Sequence, residues 1–520
     1  MGKKLNRREL LKLSSLLPLL YFIPGEKKRH NNNADNSNDQ NILIIVFDAW
    51  TAHNVSLYGY PRDTTPNLNI LAERAIVYHN HFSSAPWTLP GTASIFTGVY
   101  PWTHRAFNSR ATSINLSGII DKFHSSNLFS LFVKEGFSTL AYSHNPYVEI
   151  LLDQLNGNIE FHLESEKLYL NHDPLLGVIF PKDELATNLA QRQIFWDEDH
   201  VANSLLLSDI LKGWVNNKIQ KIIDEYKYEF PRRPPSLNHL EYFYLQEDAT
   251  DWALRYLENQ TSPYLGYFHF YPPHAPYRTR REFIDRFRGG WKPSPKPEHI
   301  FSEGEPENKI LKQRRYYDEF IGYVDAEFAR LFVSLAESGA LNNTWLILTS
   351  DHGERFERGS FGHEYLLMHN PVIHIPLLIF PPGQKDRVDV YQRTNAVDLL
   401  PTLLNTMGID IPSYCEGEIL PPFQKKYRGD ERTTYAMNPR DNLPHSKITE
   451  GVYTIFMENY KLINYFGLKQ MKGYDEYYEL YDIENDPEEL NDLYDSHRNI
   501  ANELINELIT AMNRADQPYT

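Results

Sequence analysis

Two residues with metal-binding side chains, Asp351 and His352, directly follow a run of apolar residues. That run, from Thr344 to Ser350, is typical of a buried β-strand. In open α/β sheets, ligands bind at the carboxyl ends of the strands, which is where this pair would lie. A carboxylate and an imidazole offer an oxygen and a nitrogen to a divalent metal ion. Because a lone Asp-His pair in a loop is usually only solvated, this interpretation depends on further residues.

Two other side chains are predicted to lie at the same edge. Asp48 ends the apolar, β-branched run 41–47, and Thr88 lies in the segment 86–90, before a predicted helix that starts at Gly91. Taken alone, Asp48 is explained by a turn after a strand and Thr88 by a helix cap. The carboxyl ends of parallel strands open onto one edge, which would bring these residues together. The predicted metal site therefore consists of Asp48, Thr88, Asp351 and His352.

This combination of side chains suits attack on an anionic ester. A threonine hydroxyl is a poor nucleophile at neutral pH, but a bound divalent cation favours its alkoxide, as zinc can lower the pKa of a bound water from 15.7 to about 7. The start of the helix after Pro90 adds backbone N–H donors and positive potential for an anion. Mixed carboxylate and imidazole ligands are compatible with one Mn, Zn or Ca ion.

Composition limits the classes of function. The chain has 520 residues, of which 41% are hydrophobic and 23% charged, and this length suits one large domain and a smaller one. The net charge of -16 argues against a nucleic-acid partner and calls for a local cation in any site that binds an anion. Cys415 is the single cysteine, so neither an internal disulfide nor a cysteine zinc cluster can form.

The first forty residues have the pattern of a targeting segment. Arg7 and Arg8 precede the apolar stretch 10–23, which is shorter than the roughly 20 residues of a spanning helix. This resembles a bacterial twin-arginine export signal, and the polar segment 26–40 reads as a flexible linker. We therefore expect an exported protein, periplasmic, extracellular or held by an N-terminal membrane anchor. A basic amphipathic helix on the folded domain is the alternative.

From residue 41 onward, predicted strands and helices alternate. This alternation indicates an α/β fold, a three-layer α/β/α sandwich with a mostly parallel central sheet. We assign residues 41–424 to the catalytic domain, with an insertion over the site at about 150–255, and residues 425–520 to a small C-terminal α+β subdomain. The predicted strands are 41–48, 136–142, 263–270, 344–350, 374–380, 453–457 and 460–464. The predicted helices start at Pro66 and Gly91 or cover 128–134, 214–228, 316–338, 397–404 and 499–514.

Many ordered segments resemble the sulfatase-like family of the alkaline phosphatase superfamily. The resemblance extends over nearly all of residues 41–495, which makes it specific at the level of the family. The segments that carry it are 41–48, Tyr58-Gly59-Tyr60, 64–68, 86–98, Tyr100-Pro101, 273–277, 350–354, Gly362-His363, 375–377, 398–402, 479–482 and Asp486-Pro487.

The departures from the family pattern concern the nucleophile. Sulfatases of this family carry Cys or Ser within Cys/Ser-x-Pro-x-Arg and oxidise it to formylglycine, whereas this chain reads Thr88-x-Pro90-x-Thr92. Threonine is not a precursor of formylglycine, and the arginine is missing. Ala49 replaces the second Asp of the usual first-strand pair, and His352 stands where many sulfatases have Asn. The resemblance is therefore closer to relatives that transfer phosphoryl groups through a threonine.

The resemblance also implies roles for other residues. His274 or His363 would protonate the leaving oxygen, a role that suits an imidazole near neutral pH. Each could equally be a loop histidine packed among its neighbours. Phe270 stands where a two-metal relative would need an Asp four residues before His274, which favours one metal. Three further residues are candidates for substrate contacts: Asn145, Trp87 and Arg105.

The sequence thus predicts a metal-dependent hydrolase that cleaves an anionic ester through Thr88. A phosphate mono- or diester is favoured because the formylglycine route is closed. The alternatives are a sulfuric ester hydrolase, a transferase that passes a phospho-group to a glycan or lipid, and an inactive binding homologue. The substrate would be a small-molecule, glycan or lipid ester. The leaving group and the oligomeric state stay open.

Overall fold

A computed structural model provides the coordinates. It describes residues 40–107, 121–170, 217, 220–235, 243–260, 263–363, 366–424, 432–440, 442–468 and 476–519. The targeting segment and about half of the predicted insertion, including residues 214–216 and 218–219 of the predicted helix 214–228, lie outside the described residues. In the described ranges, no helix is both long enough and apolar enough to cross a bilayer.

The strands and helices alternate along the first four hundred residues. The strands are β1 (Asn41–Phe47), β2 (Ile76–Tyr78), β3 (His81–Phe82), β4 (Ser138–Ser143), β5 (Phe161–Leu163), β6 (Tyr264–Phe270), β7 (Thr344–Thr349), β8 (Arg355–Glu357), β9 (Ser360–Gly362), β10 (Leu377–Phe380), β11 (Val388–Val390), β12 (Thr394–Asn395), β13 (Thr434–Asn438), β14 (Gly451–Met457), β15 (Tyr460–Phe466) and β16 (Glu476–Asp482). The helices are α1 (Pro66–Leu71), α2 (Thr88–Thr97), α3 (Pro101–His104), α4 (Leu128–Lys134), α5 (Pro146–Gln154), α6 (Gln246–Leu257), α7 (Glu307–Glu337), α8 (Asn370–Ile373), α9 (Leu399–Thr406) and α10 (Arg498–Asp516).

The central sheet has eight strands in the order β11-β2-β10-β7-β1-β6-β4-β5. Its pairings are parallel except those of β10, which runs antiparallel to both β2 and β7. β1 lies between β6 and β7, and every residue of β1 is buried. A strand covered on both faces explains the continuous apolar run of β1. The predicted α/β fold with a mostly parallel sheet is confirmed.

Successive side chains of β1 pack on opposite faces of the sheet. Leu43 and Ile45 belong to a core with the long helix α7, whereas Ile42 and Ile44 belong to a second core with α2, α4 and α9. This alternation follows from the two-residue period of a strand. The sheet is therefore covered by a helical layer on each face. The start of α2 lies on the face to which the even-numbered residues of β1 point.

A second, antiparallel sheet follows in the order β13-β14-β15-β16. The C-terminal helix α10 packs on it through Leu504 and Leu508, which share a core with Ile455 and Leu462. The amphipathic pattern of α10 is explained by this one buried face. The fold thus includes the C-terminal α+β unit that the sequence predicted.

The start of α2 and the capping of α1 are set by contacts that a local sequence pattern does not contain. α2 begins at Thr88 instead of Gly91, because Pro90 falls in the first turn, where a missing backbone N–H costs no hydrogen bond. α1 begins at Pro66 as predicted, but Thr65 provides no side-chain cap. The Asp325 carboxylate of α7 caps α1 instead, since it accepts hydrogen bonds from the backbone N–H groups of Asn67 (3.0 Å) and Leu68 (2.8 Å).

Candidate active site

The strand register brings the ends of β1, β6 and β7 together. Val46 of β1 lies opposite both His269 of β6 and Thr349 of β7. Asp48 and Asp351 each come two residues beyond a residue of this row, so they leave the sheet side by side. Both carboxylates are fully buried. The sheet therefore delivers two acids and an imidazole to one edge.

A strained turn after β1 fixes the position of Asp48. Ala49 adopts φ 57°, a left-handed conformation that a residue with a Cβ seldom takes. Its backbone N–H donates to Asp351 Oδ1 (3.3 Å), and its carbonyl accepts from the Tyr317 hydroxyl (2.6 Å). Gly91 allows α2 to approach from the other side, because a Cβ there would lie 2.5 Å from the Asp351 carbonyl oxygen. The two carboxylates are thus held in place by the backbone around them.

Three buried atoms at this edge find no hydrogen-bond partner among the described residues: Asp48 Oδ1, Asp351 Oδ2 and His269 Nε2. A set of ligand atoms from these residues lies within 4.8 Å of one another. Burying charge without a partner is costly, and buried charges in proteins are normally paired or coordinate metals. Two carboxylates and one imidazole fit a divalent cation. Among the described residues, this is the one cluster of such ligands. It contains Asp48 and Asp351 of the predicted metal site.

His352 adds a second imidazole to the cluster. Its Nδ1 contacts the Gly353 carbonyl oxygen (2.9 Å), which directs Nε2 to Asp48 Oδ1 (3.4 Å) and Asp351 Oδ2 (3.5 Å). Burial lowers the pKa of His352, but the charge of Asp351 and the close contact with the charged Asp48 outweigh burial and raise it to about 9. The negative potential that holds this proton would equally attract a metal cation.

The ionised form of Asp48 is favoured in the same way. Burial raises the pKa of Asp48, but the charge of His274 and the close approach of the His269 and His352 rings, each 3.4 Å from a carboxylate oxygen, hold it well below its usual value. Asn145 adds a further donor, because its Nδ2 donates to Asp48 Oδ2 (2.5 Å). The site therefore keeps a carboxylate ready to bind a cation.

Thr88 lies beside this cluster at the first residue of α2. Its Oγ1 is 3.3 Å from His352 Nε2 and accepts a hydrogen bond from Asn145 Nδ2 at 3.2 Å. Trp87, the residue before the helix, provides no side-chain cap. The first backbone N–H groups of α2 therefore remain available to an anion beside the hydroxyl. The structure brings together Thr88, Asn145, Asp48, Asp351 and His352.

His274 and His363 face the cluster from two further loops. Their rings lie 4.8 Å apart, and the His363 ring lies 4.3 Å from that of His352. His363 Nδ1 contacts a carboxylate oxygen of buried Glu354 (2.8 Å), whose other oxygen accepts from the Tyr277 hydroxyl (2.7 Å). His274 Nδ1 contacts the Ala275 carbonyl oxygen (2.5 Å). Each imidazole thus has one nitrogen engaged and the other available for proton transfer.

The two remaining substrate candidates have different surroundings. Trp87 is partly exposed next to Thr88, and its ring contacts Tyr147 at 6.0 Å. Arg105 is fully buried and binds the C-terminal unit, where its guanidinium donates to Asp516 (2.7 Å) and the Ser446 carbonyl (2.9 Å). The structure contradicts a substrate-binding role for Arg105, because its charge is already used between the two units.

His269 is a site residue that the sequence pattern did not reveal. It lies inside the apolar strand β6, where it was counted with the core. Its side chain points to the same face as Leu265 and Tyr267, towards α2. The Tyr267 hydroxyl lies 2.9 Å from His269 Nδ1 and so turns Nε2 towards the carboxylates. A polar residue one position before the end of a buried strand was the available signal.

Known protein families match most of this sequence. The family described as Sulfatase matches residues 40–409, and the one described as N-sulphoglucosamine sulphohydrolase, C-terminal, matches residues 357–517. The multifunctional alkaline phosphatase superfamily protein PehA of Trinickia caryophylli is 23% identical over 87% of this chain and 91% of its own length. An arylsulfatase of Clostridium perfringens is 22% identical over 88% of this chain and 90% of its own.

Solved structures share the fold. The phosphonate monoester hydrolase SpPMH from Silicibacter pomeroyi superposes with a TM-score of 0.62 and 19% identity, over 92% of this chain and 96% of its own. The chain belongs to the sulfatase family of the alkaline phosphatase superfamily. Members of this family are hydrolases of sulfuric or phosphoric esters, generally with a divalent metal. The protein is therefore a sulfatase-like hydrolase.

Proposed function

We propose that this protein cleaves a phosphate mono- or diester and that Thr88 is its nucleophile. The observation that carries the proposal is the position of Thr88 Oγ1, next to His352 Nε2 (3.3 Å), at the start of α2 and beside the unpaired atoms of Asp48 and Asp351. A hydroxyl at a helix start and beside a cation site is suited to attack on an anion.

The residues that would hold the cation are Asp48, Asp351, His269 and His352, with Thr88 as a further oxygen donor. When bound, the cation would lower the pKa of the Thr88 hydroxyl, whose proton is then lost to solvent, and it would neutralise charge on the ester. This matches the predicted metal site with His269 added.

The attack on phosphorus and the protonation of the leaving group are carried out by side chains of this protein. Thr88 Oγ1 attacks phosphorus while the bond from phosphorus to the leaving oxygen breaks. His274 or His363 gives its proton to the leaving alcohol. Asn145 Nδ2, which already donates to Thr88 Oγ1, orients the nucleophile. A water molecule then attacks phosphorus, the bond to Thr88 breaks, and the hydroxyl is restored.

A substrate panel tests this proposal. The purified protein is assayed with an aryl phosphate, a bis-aryl phosphate and an aryl sulfate, each with Mn, Zn and Ca. We expect the phosphate esters to be cleaved and Thr88→Ala to lose activity by about a thousandfold or more, as expected when a nucleophile is removed. Thr88→Ser is the matched control, because it keeps the hydroxyl. Equal activity in Thr88→Ala and the parent would rule out this nucleophile.

Sulfate ester hydrolysis is the second candidate, because the family is named for it and an arylsulfatase matches nearly the whole chain. The panel separates the two by their specificity constants. Product analysis with a glycan or lipid alcohol present tests the transferase alternative, since a transferred phospho-group would appear on the alcohol. Absence of turnover with every ester and metal would favour an inactive binding homologue.

We also propose that the protein is exported. The support is the twin-arginine pattern of Arg7 and Arg8 and the apolar stretch 10–23. Cell fractionation of the full chain and of Arg7→Lys/Arg8→Lys tests this. We expect the parent outside the cytoplasm and the variant inside it. The same location for both would contradict the proposal.

A further inference from the structure

A second cleft, of about 770 Å³, lies apart from the candidate metal site. It is lined by the segment that follows β1, the turn between β2 and β3, the segment 291–296 and residues that follow β16. Glu354 is the one residue of the candidate active site described above that also lines this second cleft. Its volume falls in the range of ligand-binding clefts, which are typically about 300–1,000 Å³.

Exposed apolar side chains concentrate at this second cleft. Of the ten large hydrophobic side chains that are most exposed in the described ranges, three line it: Trp291, Tyr391 and Leu490. Tyr391 is 63% exposed and Trp291 is 36% exposed. Single exposed apolar residues are common, but a group of them around one concave surface marks an interaction site.

Both aromatic rings are held rigidly by their neighbours. Tyr391 stacks on the His79 ring with 4.4 Å between centroids and 9° between planes, and His79 is fixed by Asp389 at 2.6 Å. Trp291 packs edge-on against Tyr60 at 5.3 Å. Rings that are fixed before a ligand arrives lose little conformational entropy on binding. They therefore form two ready stacking surfaces.

The inner wall offers a polar ring to a ligand. Arg314 also lines the wall, but its Nε is shielded from solvent and its Nη2 already donates to the Phe356 carbonyl (2.7 Å). The His53 ring contacts the His374 ring at 5.3 Å, and no side-chain hydrogen bond of His53 is found in the described part of the chain. Burial lowers the pKa of His53 to about 4, so its neutral ring carries one donor and one acceptor.

Carboxylates outnumber cationic side chains in the lining of the second cleft. Lys296 lies 3.0 Å from Glu357 and 2.8 Å from Glu488. Two carboxylates thus neutralise the lysine, and the cleft offers no excess positive charge to an anion. The ligand that fits is an uncharged molecule with apolar faces and many hydroxyl groups.

We propose that this second cleft binds uncharged sugar residues of an oligosaccharide, separately from the candidate metal site. The C–H faces of a sugar ring pack on Trp291 and Tyr391, and its hydroxyl groups donate to and accept from the His53 ring. A peptide bound by strand addition needs a row of free backbone groups, whereas the unpaired groups found here belong to side chains. The site would hold a glycan at a distance from the ester that is cleaved.

Binding of neutral oligosaccharides to the full chain tests this inference. An array of neutral glycans is screened first, and cellohexaose, laminarihexaose, xylohexaose and maltohexaose are then titrated by calorimetry. We expect at least one to bind with a dissociation constant below about 1 mM. Tyr391→Ala and Trp291→Ala should each weaken binding by about tenfold, because each removes one stacking surface.

Tyr228→Ala is the matched control, since Tyr228 is also 63% exposed but does not line the second cleft. It should bind the same sugar as well as the parent does. Thr88→Ala should also bind it normally, so that the result does not depend on the proposed nucleophile. Absence of binding, or equal losses in Tyr228→Ala and Tyr391→Ala, would overturn the inference. A peptide that binds in a Tyr391-dependent way while no sugar binds would also overturn it.

Discussion

Two fully buried polar clusters in this protein differ in how their charges are paired. At the first, one oxygen each of Asp48 and Asp351 and one nitrogen of His269 have no hydrogen-bond partner in the part of the chain that the structure describes. At the second, between the central sheet and the C-terminal unit, Lys461 donates to Glu489 at 2.5 Å. Both clusters are equally removed from solvent, so burial alone does not distinguish them.

The two clusters differ in whether their charged atoms have hydrogen-bond partners. In the second cluster, Lys461 also donates to Asn370 Oδ1 (2.9 Å), and the other oxygen of Glu489 accepts from the Asn370 backbone N–H (2.7 Å). A buried ion pair with every atom satisfied stabilises one arrangement of two structural units. A buried group of acids with free oxygens needs an external cation. The comparison therefore separates a structural cluster from a functional one.

Removing a carboxylate from the first cluster should have the largest effect on activity. Asp351→Asn keeps the shape but removes a metal ligand. We expect loss of the bound metal and a fall in kcat/KM of roughly a thousandfold or more, because a metal supplies several kilocalories of transition-state stabilisation. Metal-free parent and variant should differ in unfolding free energy by only about 1 kcal/mol, since the hydrogen bonds to Oδ1 can persist. Full metal content in Asp351→Asn, measured by mass spectrometry, would place the site elsewhere.

Breaking the second cluster should affect stability instead. Lys461→Met leaves the Glu489 charge buried without its partner, and we expect the unfolding free energy to fall by about 3–5 kcal/mol. The matched control is Lys309→Met at an exposed pair with Glu305 (2.6 Å), where a loss of at most about 1 kcal/mol is expected. Urea denaturation measures both. If the two variants lose the same stability, the distinction between paired and unpaired burial fails. Metal bound per folded molecule should stay at the parent level in both.

A smaller effect should follow from Tyr267→Phe. This change removes the hydroxyl that orients His269 and leaves the ring in place. Loss of such an outer partner typically weakens metal binding by about 10–100-fold. Tyr142→Phe is the control, because the buried Tyr142 hydroxyl has no hydrogen-bond partner within the described ranges. Competition with a chelator measures the affinity. An unchanged value in Tyr267→Phe would argue that His269 is not a ligand.

The smallest effect is expected at His104, a histidine whose two ring nitrogens both have partners. His104 accepts from the Ala106 N–H through Nδ1, its Nε2 contacts Ser94, and burial lowers its pKa to about 3. As the pH falls below about 6.5, His104 therefore binds a proton in the unfolded chain before it does so in the folded one. The contribution of neutral His104 to the free energy of unfolding is complete above that pH and is lost towards pH 3. Between about pH 7 and pH 5.5, we expect His104→Asn to lose about 1 kcal/mol less unfolding free energy than the parent does. Urea titrations at the two pH values check this, and an unchanged loss would contradict it.

Sequence reasoning reached the fold because the buried strands carry a strong local pattern. β1 and β7 are apolar runs followed at once by Asp48 and Asp351, so both the strands and their chemical ends could be predicted. The start of α2 was misplaced by three residues, since Pro90 looked like part of a loop. The residue at which a helix begins depends on the geometry of its first turn, which a local sequence pattern does not contain.

His269 and Arg105 show what the local pattern lacks. His269 is read as core unless the register of β6 against β1 is known, because only that register aligns it with the two acids. Arg105 looked like a substitute for a missing substrate arginine. Its partner, Asp516, is 411 positions away in the chain, so no local pattern could reveal that the charge was already paired. Both outcomes depend on contacts that arise only on folding.

The most direct test is an anomalous X-ray difference map of crystals grown with Mn. The account predicts one strong peak between Asp48 Oδ1, Asp351 Oδ2 and His269 Nε2, with the Thr88 hydroxyl turned towards it. A map without a peak at these atoms, or with the metal bound at another cluster, would contradict it.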